Sequence, residues 1–466
     1  MRMDFREQSV KELASDIASG AKSAREVVEA SFARIEETNG EINAFVSLDH
    51  DGALSAARAI DERRSRGDVL PPLAGIPIGV KDLEDAKGLA TTYGSACYRD
   101  AAPATVDSAL VARLKAAGCI VVGKTNTPEF GWTAKTDNAV FGLTKNPWNL
   151  AYSPGGSSGG TAAALAAGMV PLATGSDGGG SIRIPAAACG LAGMKTSFGR
   201  VPQADAEAPA WLDLSSKGPM ALRFSDVTDV LNLVIGPDPR DSTSLPALEK
   251  ALGTKIGRPL RVAWSKNLGY GETDTEVLAA CTSALRALEG AGVEVVEIDH
   301  VFDEDPLNAW LSIVGACLER SFAPFAGTPA AAEADPILQM IVAGGGALTA
   351  RGLIEAIDTR HALTADLVSA LSGYDLLLCP VSAGVTPETA LDGMGTVNGE
   401  STINWVQYTY PFNMTRSPAA SVPVGLSSSG VPIGLQVVGN WLDDHLVLEL
   451  CNLLEQVMPF THRASI

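Results

Sequence analysis

Positive charge is in short supply. Lys and Arg total 35 against 54 Asp and Glu, a net charge of −19. Such a surface repels phosphate backbones, so no nucleic-acid partner is expected. Histidine is scarcer still. The five histidines (His50, His300, His361, His445, His462) form no H-E-x-x-H or other close pairing, which argues against a metalloenzyme. Seven scattered cysteines (Cys97, Cys119, Cys189, Cys281, Cys317, Cys379, Cys451) are odd in number and never spaced C-x-x-C. That pattern disfavours both a disulfide framework and a thiolate zinc site. Long apolar runs are missing too. The stretch from Gly159 to Thr174 is Ala-rich but broken by Gly168 and Pro171, and cannot span a bilayer. Met1 to Val10 is charged and lacks the apolar core of a signal peptide. The expectation is a cytoplasmic protein with no membrane partner, no metal and no cofactor.

What is present is a chain of 466 residues, 46% hydrophobic and 19% charged, long enough to bury roughly three quarters of its unfolded surface. The first seventy residues read as helices. Val10 to Ile17 has apolar spacing of three and four, Ser23 to Glu37 has a Ser cap followed by Glu26, and Gly52 to Arg66 repeats the theme. From Ile76 the pattern becomes strand, loop, helix, strand. Ile76 to Val80 is a short apolar run, and Asp107 to Ala117 an amphipathic helix leading into the strand Cys119 to Val122. A second helix–strand unit spans Asp274 to Ala291 and Val293 to Ile298. A further strand is expected at Asp375 to Cys379, and a hairpin-like pair at Ala420 to Val424 and Ile433 to Val438. Alternating helices and short apolar strands indicate an α/β layered sheet. Gly236 to Pro259 is polar and reads as a surface crossing. No repeat or low-complexity linker divides the chain, so one domain over 1–466 is expected: a helical wrap over about 1–70, a core over about 71–235 and a C-terminal α/β part over about 260–466.

Three segments invite chemistry. Gly79-Val80-Lys81-Asp82 puts a lysine at the end of an apolar strand. Ser153-Pro154-Gly155-Gly156-Ser157-Ser158-Gly159-Gly160 is a Gly/Ser loop running into an Ala-rich helix. Gly175-Ser176-Asp177-Gly178-Gly179-Gly180-Ser181-Ile182-Arg183-Ile184-Pro185 is a glycine loop that contains a serine. Each alone has a plain explanation: a solvated lysine, a flexible connector, or an anion-binding turn. Together they have a chemical logic. A serine hydroxyl is a poor nucleophile until a base takes its proton. No histidine lies near either loop in sequence, so a lysine is the candidate base. Lysine accepts a proton only when neutral, and burial at the end of the strand would depress its pKa. Gly178, Gly179 and Gly180 let the chain turn its N–H groups toward one point, and one such oxyanion donor is worth about 3 kcal/mol.

These residues resemble the amidase-signature family, most densely from Leu73 to Pro202, and again at Phe412-Asn413 through Pro423 and at Pro432 to Gly439. The resemblance implies that family's fold, expected as a large, mixed, mostly parallel central sheet with helices on both faces. It also implies a lysine, a serine in a cis peptide bond and a nucleophilic serine as the catalytic set. In the family the two serines are separated by 24 positions, as Ser157 and Ser181 are, so Ser157 rather than Ser158 matches the cis serine. Lys81 would take the Ser181 proton through Ser157, and the oxyanion would rest on the N–H groups of Gly178, Gly179, Gly180 and Ser181. Ser158, Asp177 and Arg183 resemble supporting residues, the last two read as a structural ion pair. Many members carry Thr or Ile where this chain has Gly178, and the loop resembles the branch containing the aminohexanoate cyclic-dimer hydrolases. By the same resemblance the pocket is expected near Gly131-Trp132-Thr133, Cys317 and Asn404 to Tyr410, with Trp132, Trp310 and Trp405 as candidate apolar walls. The implied partner is a small neutral amide, linear or cyclic, with a homodimer left open.

Two other readings compete. Gly155-Gly156-Ser157-Ser158-Gly159 fits the G-x-S-x-G of α/β-hydrolases, which would need His361 or His445 as base. The amidotransferase component of a tRNA-dependent transamidosome, which releases ammonia from glutamine, is a relative within the same family. A nucleotide-binding loop fails on spacing, because Met194 and Cys189 occupy the glycine positions that Lys195 would require.

Overall fold

The computed structural model describes residues 3–204, 211–255, 257–391 and 393–466. The described residues form thirteen strands: β1 (Phe45–Leu48), β2 (Pro77–Lys81), β3 (Ile120–Thr125), β4 (Leu172–Asp177), β5 (Ala192–Lys195), β6 (Ser216–Ala221), β7 (Arg261–Trp264), β8 (Glu294–Glu297), β9 (Leu376–Pro380), β10 (Gly395–Val397), β11 (Glu400–Thr402), β12 (Ala419–Leu426) and β13 (Pro432–Val438). Eleven of them make one sheet in the order β1-β3-β2-β4-β6-β5-β12-β13-β9-β7-β8, while β10 and β11 pair separately.

The sheet is mixed, but the expected parallel majority is not found. Four neighbouring pairs are parallel (β2 with β3 and β4, β7 with β8 and β9) and six are antiparallel. The cause is local. Parallel neighbours need helical crossovers, whereas the short β12–β13 hairpin inserts an antiparallel pair at the centre.

Both faces of the sheet are packed, as alternate residues show. In β9, Leu376 and Leu378 join the larger hydrophobic core while Leu377 and Cys379 face a second one. Helices Thr275–Gly290 and Asp444–Val457 contribute to the first core, and Leu307–Phe322 and Ala350–Ala370 to the second. The N-terminal helices form as expected: Ser23 with Glu26 closes the capping box its spacing predicts, and Ser9 with Glu12 closes another. The polar segment 236–259 contains neither helix nor strand among its described residues. No single helix is long and apolar enough to cross a membrane among the described residues.

One pairing sets up the site. β2 and β4 run parallel with Ile78 opposite Leu172 and Gly79 opposite Ala173. Their C-terminal ends, at Lys81 and Asp177, therefore reach the same edge of the sheet.

Candidate active site

Lys81 is sealed, with 0% of its surface exposed, at the end of a strand whose five residues are all buried. Its amide donates to Thr174 Oγ1 at 3.0 Å, which fixes the strand end. Its side-chain nitrogen reaches Ser157 Oγ at 2.8 Å and Ser176 Oγ at 3.0 Å. Burial pushes the Lys81 pKa down to about 7, against the opposing pull of the Glu84 and Asp177 charges. Low pKa alone is no signature, because burial also lowers Lys195 to about 7. What differs is the company. Lys195 donates to the Ser417 and Thr196 carbonyls, and Lys124 lies 3.4 Å from Asp82 in a buried ion pair. Of these three lysines only Lys81 touches serine hydroxyls.

Ser157 follows a cis Gly156–Ser157 peptide and is 2% exposed. The next residue ties the two serine loops together: Ser158 N–H donates to the Ser181 carbonyl at 3.1 Å. The Ser158 hydroxyl also bridges to the Ser176 backbone, donating to its carbonyl at 3.3 Å. Helix Gly159–Ala166 starts directly after Ser158 and is buried throughout. Gly131 closes this side. A Cβ there would stand 2.6 Å from Leu83 Cδ1 and 3.1 Å from Ser157 Oγ, and its φ of 71° suits glycine.

The third motif is not a loop from end to end. Gly175, Ser176 and Asp177 complete β4 opposite Gly218, Lys217 and Ser216. The turn proper is 178–182, followed by helix Arg183–Cys189. Asp177 folds that turn. Its carboxylate accepts from the Gly180 amide at 2.8 Å, the Ile182 amide at 3.2 Å, and Arg183 Nε and a terminal guanidinium nitrogen at 2.9 and 2.8 Å. Arg183 and Asp177 are both completely buried, and the guanidinium with Asn413 holds the Asp177 carboxyl far below its ordinary range despite burial. The remaining Arg183 donors go to the Thr409 carbonyl, Gln436 Oε1 and Asn413 Oδ1 at 2.9, 2.6 and 2.6 Å. The Gly180 amide is thus engaged and is not a free oxyanion donor as expected. The amides of Gly178, Gly179 and Ser181 have no partner among the described residues, and neither does the Ser181 hydroxyl. Ser181 is 9% exposed. It is the most open of the three candidate catalytic groups.

Residues 26–448 match the family described as Amidase. The chain belongs to that family. This amidase is 35% identical to an acylamidase from Rhodococcus erythropolis, over 98% of this chain and 96% of the relative. It is equally 35% identical to a glutamyl-tRNA(Gln) amidotransferase subunit from Synechococcus sp. (strain CC9605), over 97% of each. Its fold superposes on 6-aminohexanoate cyclic dimer hydrolase complexed with substrate with a TM-score of 0.90 at 27% identity, over 99% of each chain. The chain is an amide hydrolase of the amidase-signature type.

The expected pocket residues fare unevenly in this amidase. Gly131 and Thr133 flank the cis loop, since a Cβ on Gly156 would meet the Thr133 carbonyl at 2.7 Å. Trp132 is half-buried beside them. Cys317 is buried on helix Leu307–Phe322, its thiol pKa raised by burial and its sulfur in contact with the Leu212 backbone. Trp310 lies on the same helix, half-buried, with its indole N–H on the Gly178 carbonyl at 3.0 Å. Trp405 belongs to the second core. It is 2% exposed, packs against Gly395 and donates to the Gly393 carbonyl at 3.1 Å. His361 and His445 are exposed and, among the described residues, neither bonds to Ser157 or Ser181. The α/β-hydrolase reading is left without a base. Sequence reasoning missed Ser176, Gln436 and Trp211, and gave Thr409 only as part of the Asn404 to Tyr410 stretch. Ser176 lay in plain view within the motif; the others meet the site only through tertiary packing.

Proposed function

We propose that the chain hydrolyses the carbon–nitrogen bond of a small neutral carboxamide through an acyl-enzyme on Ser181. The observation that carries this reading is the Lys81–Ser157 hydrogen bond, made by a lysine that burial brings near neutrality. Neutral Lys81 accepts a proton from Ser157 as Ser157 takes the one on Ser181, and the Ser181 oxygen attacks the amide carbon. The resulting oxyanion is met by the amides of Gly178, Gly179 and Ser181. Ser157 then protonates the leaving amine, and water hydrolyses the ester to free Ser181. Asp177 and Arg183 hold the turn, Ser158 holds the two loops in register, and Gly131, Trp132, Thr133 and Cys317 border the substrate.

The test uses the purified single chain. It should cleave simple amides, with equal amounts of acid and amine released, and a fluorophosphonate should label Ser181. Ser181→Ala should abolish both, with the circular dichroism spectrum unchanged. The similarity to the tRNA-dependent amidotransferases defines the opposing result. Release of ammonia from glutamine or asparagine alone, and only with partner proteins added, would replace the stand-alone reading.

A further inference from the structure

Two indoles occupy the space that side chains on the glycine turn would fill. A Cβ on Gly178 would lie 2.4 Å from Trp211 Cε3, and one on Gly179 would lie 2.5 Å from Trp310 Cζ2. Trp211 and Trp310 meet edge to face at 5.9 Å, and Trp310 stacks on Tyr410 at 5.5 Å. Hydrogen bonds fix the row: Trp310 to the Gly178 carbonyl, and the Tyr410 hydroxyl to Asp305 Oδ1 at 2.5 Å. The backbone bends to put Trp211 there. Trp211 and its neighbour Leu212 both have positive φ (54° and 55°), a backbone conformation that residues with a side chain rarely adopt. Both indoles are half-buried, so part of each remains open beside the turn that carries Ser181.

We propose that Trp211 and Trp310 form the wall that selects the substrate, favouring a flat aromatic group over a flexible alkyl group. A planar ring gains stacking or edge-to-face contact beyond the area it buries, whereas an alkyl chain gains only area. The ring faces of Trp211, Trp310 and Tyr410 carry no charge, and the Asp305 carboxylate at the Tyr410 end is engaged by the Tyr410 hydroxyl, so the wall suits a neutral group. Gly178 and Trp211 act as a pair: the missing side chain makes room for the ring. This assignment rests on the amidase reading above, and its test separates the two.

Binding of benzamide, acetanilide, hexanamide and N-butylacetamide to the Ser181→Ala protein is measured by calorimetry, and hydrolysis of the same four by the intact enzyme. Trp211→Ala should weaken the aryl compound that occupies the wall about tenfold, the scale of one lost aromatic contact with its buried area, and its alkyl counterpart less than twofold. Trp211→Phe should keep the preference. Gly178→Ala should also erode it, but add less than twofold when Trp211 is already Ala. Equal losses for aryl and alkyl compounds, or fully additive effects of the two substitutions, would overturn the wall. Selective aryl binding without any hydrolysis by the intact enzyme would keep the wall and sink the amidase reading instead.

Discussion

Lys81 Nζ sits 2.8 Å from Ser157 Oγ at the end of a strand with no solvent access. In the proposed chemistry the two side chains act as one unit. Lys81→Ala and Ser157→Ala should each lower kcat/KM by at least about a thousandfold, and the double variant should be little worse than either. Steady-state rates on one amide substrate decide it. Effects that multiply would mean separate roles.

The pH profile follows from the Lys81 pKa of about 7. The base works only when neutral, so kcat/KM should fall tenfold per pH unit below that value and level off above it. The same shift has a stability consequence of opposite origin. Folding depresses this pKa below its ordinary value of 10.5, so between about 7 and 10.5 the unfolded chain binds more protons. Stability from this group therefore rises with pH across that window. Lys81→Met should raise the melting temperature, and the gain should shrink as pH climbs from 7 toward 10. A constant gain at all pH values would contradict the burial argument.

Asp177 and Arg183 offer a different outcome. Breaking a fully buried ion pair from one side typically costs about 3–5 kcal/mol, and here it also frees the Gly180, Ile182 and Asn413 contacts. Asp177→Asn and Arg183→Met should each lower the melting temperature by several degrees. They should also suppress fluorophosphonate labelling of Ser181, since the turn that holds it loses its anchor. A stable protein with normal labelling would reduce the pair to distant support.

Much of the site was readable because its chemistry is contiguous. Lys81 announces itself by ending an apolar strand, and the two serine loops by their glycine spacing. The helices between 307 and 370 were not read from the sequence, because Ala-rich stretches such as Ala323 to Ala334 and the glycines at 344–346 blur any apolar period. The excess of antiparallel pairs was hidden for another reason: strand patterns give burial, not neighbours. Trp405 shows the limit on single residues, since nothing in its local sequence separates a core indole from a pocket indole. Trp211 shows the reverse, as its place over Gly178 is created by a chain bend that composition does not signal.

The complete burial of Lys81 also has a bearing on where a captured proton can go. With 0% exposure and its visible partners confined to Ser157 and Ser176, the amine has no direct contact with bulk water. A proton that reaches Lys81 leaves through one of these two hydroxyls, and in the proposed chemistry it returns through Ser157. The enzyme would then hand to the departing amine a hydrogen drawn from its own relay, a closed loan within each half-reaction. When Ser181 attacks, two hydrogens shift together, one from Ser181 to Ser157 and one from Ser157 to Lys81; when water attacks the ester, water takes the place of Ser181 as the donor. Rates measured in graded mixtures of light and heavy water should therefore trace a downward-bowed curve, where a single moving hydrogen would give a straight line.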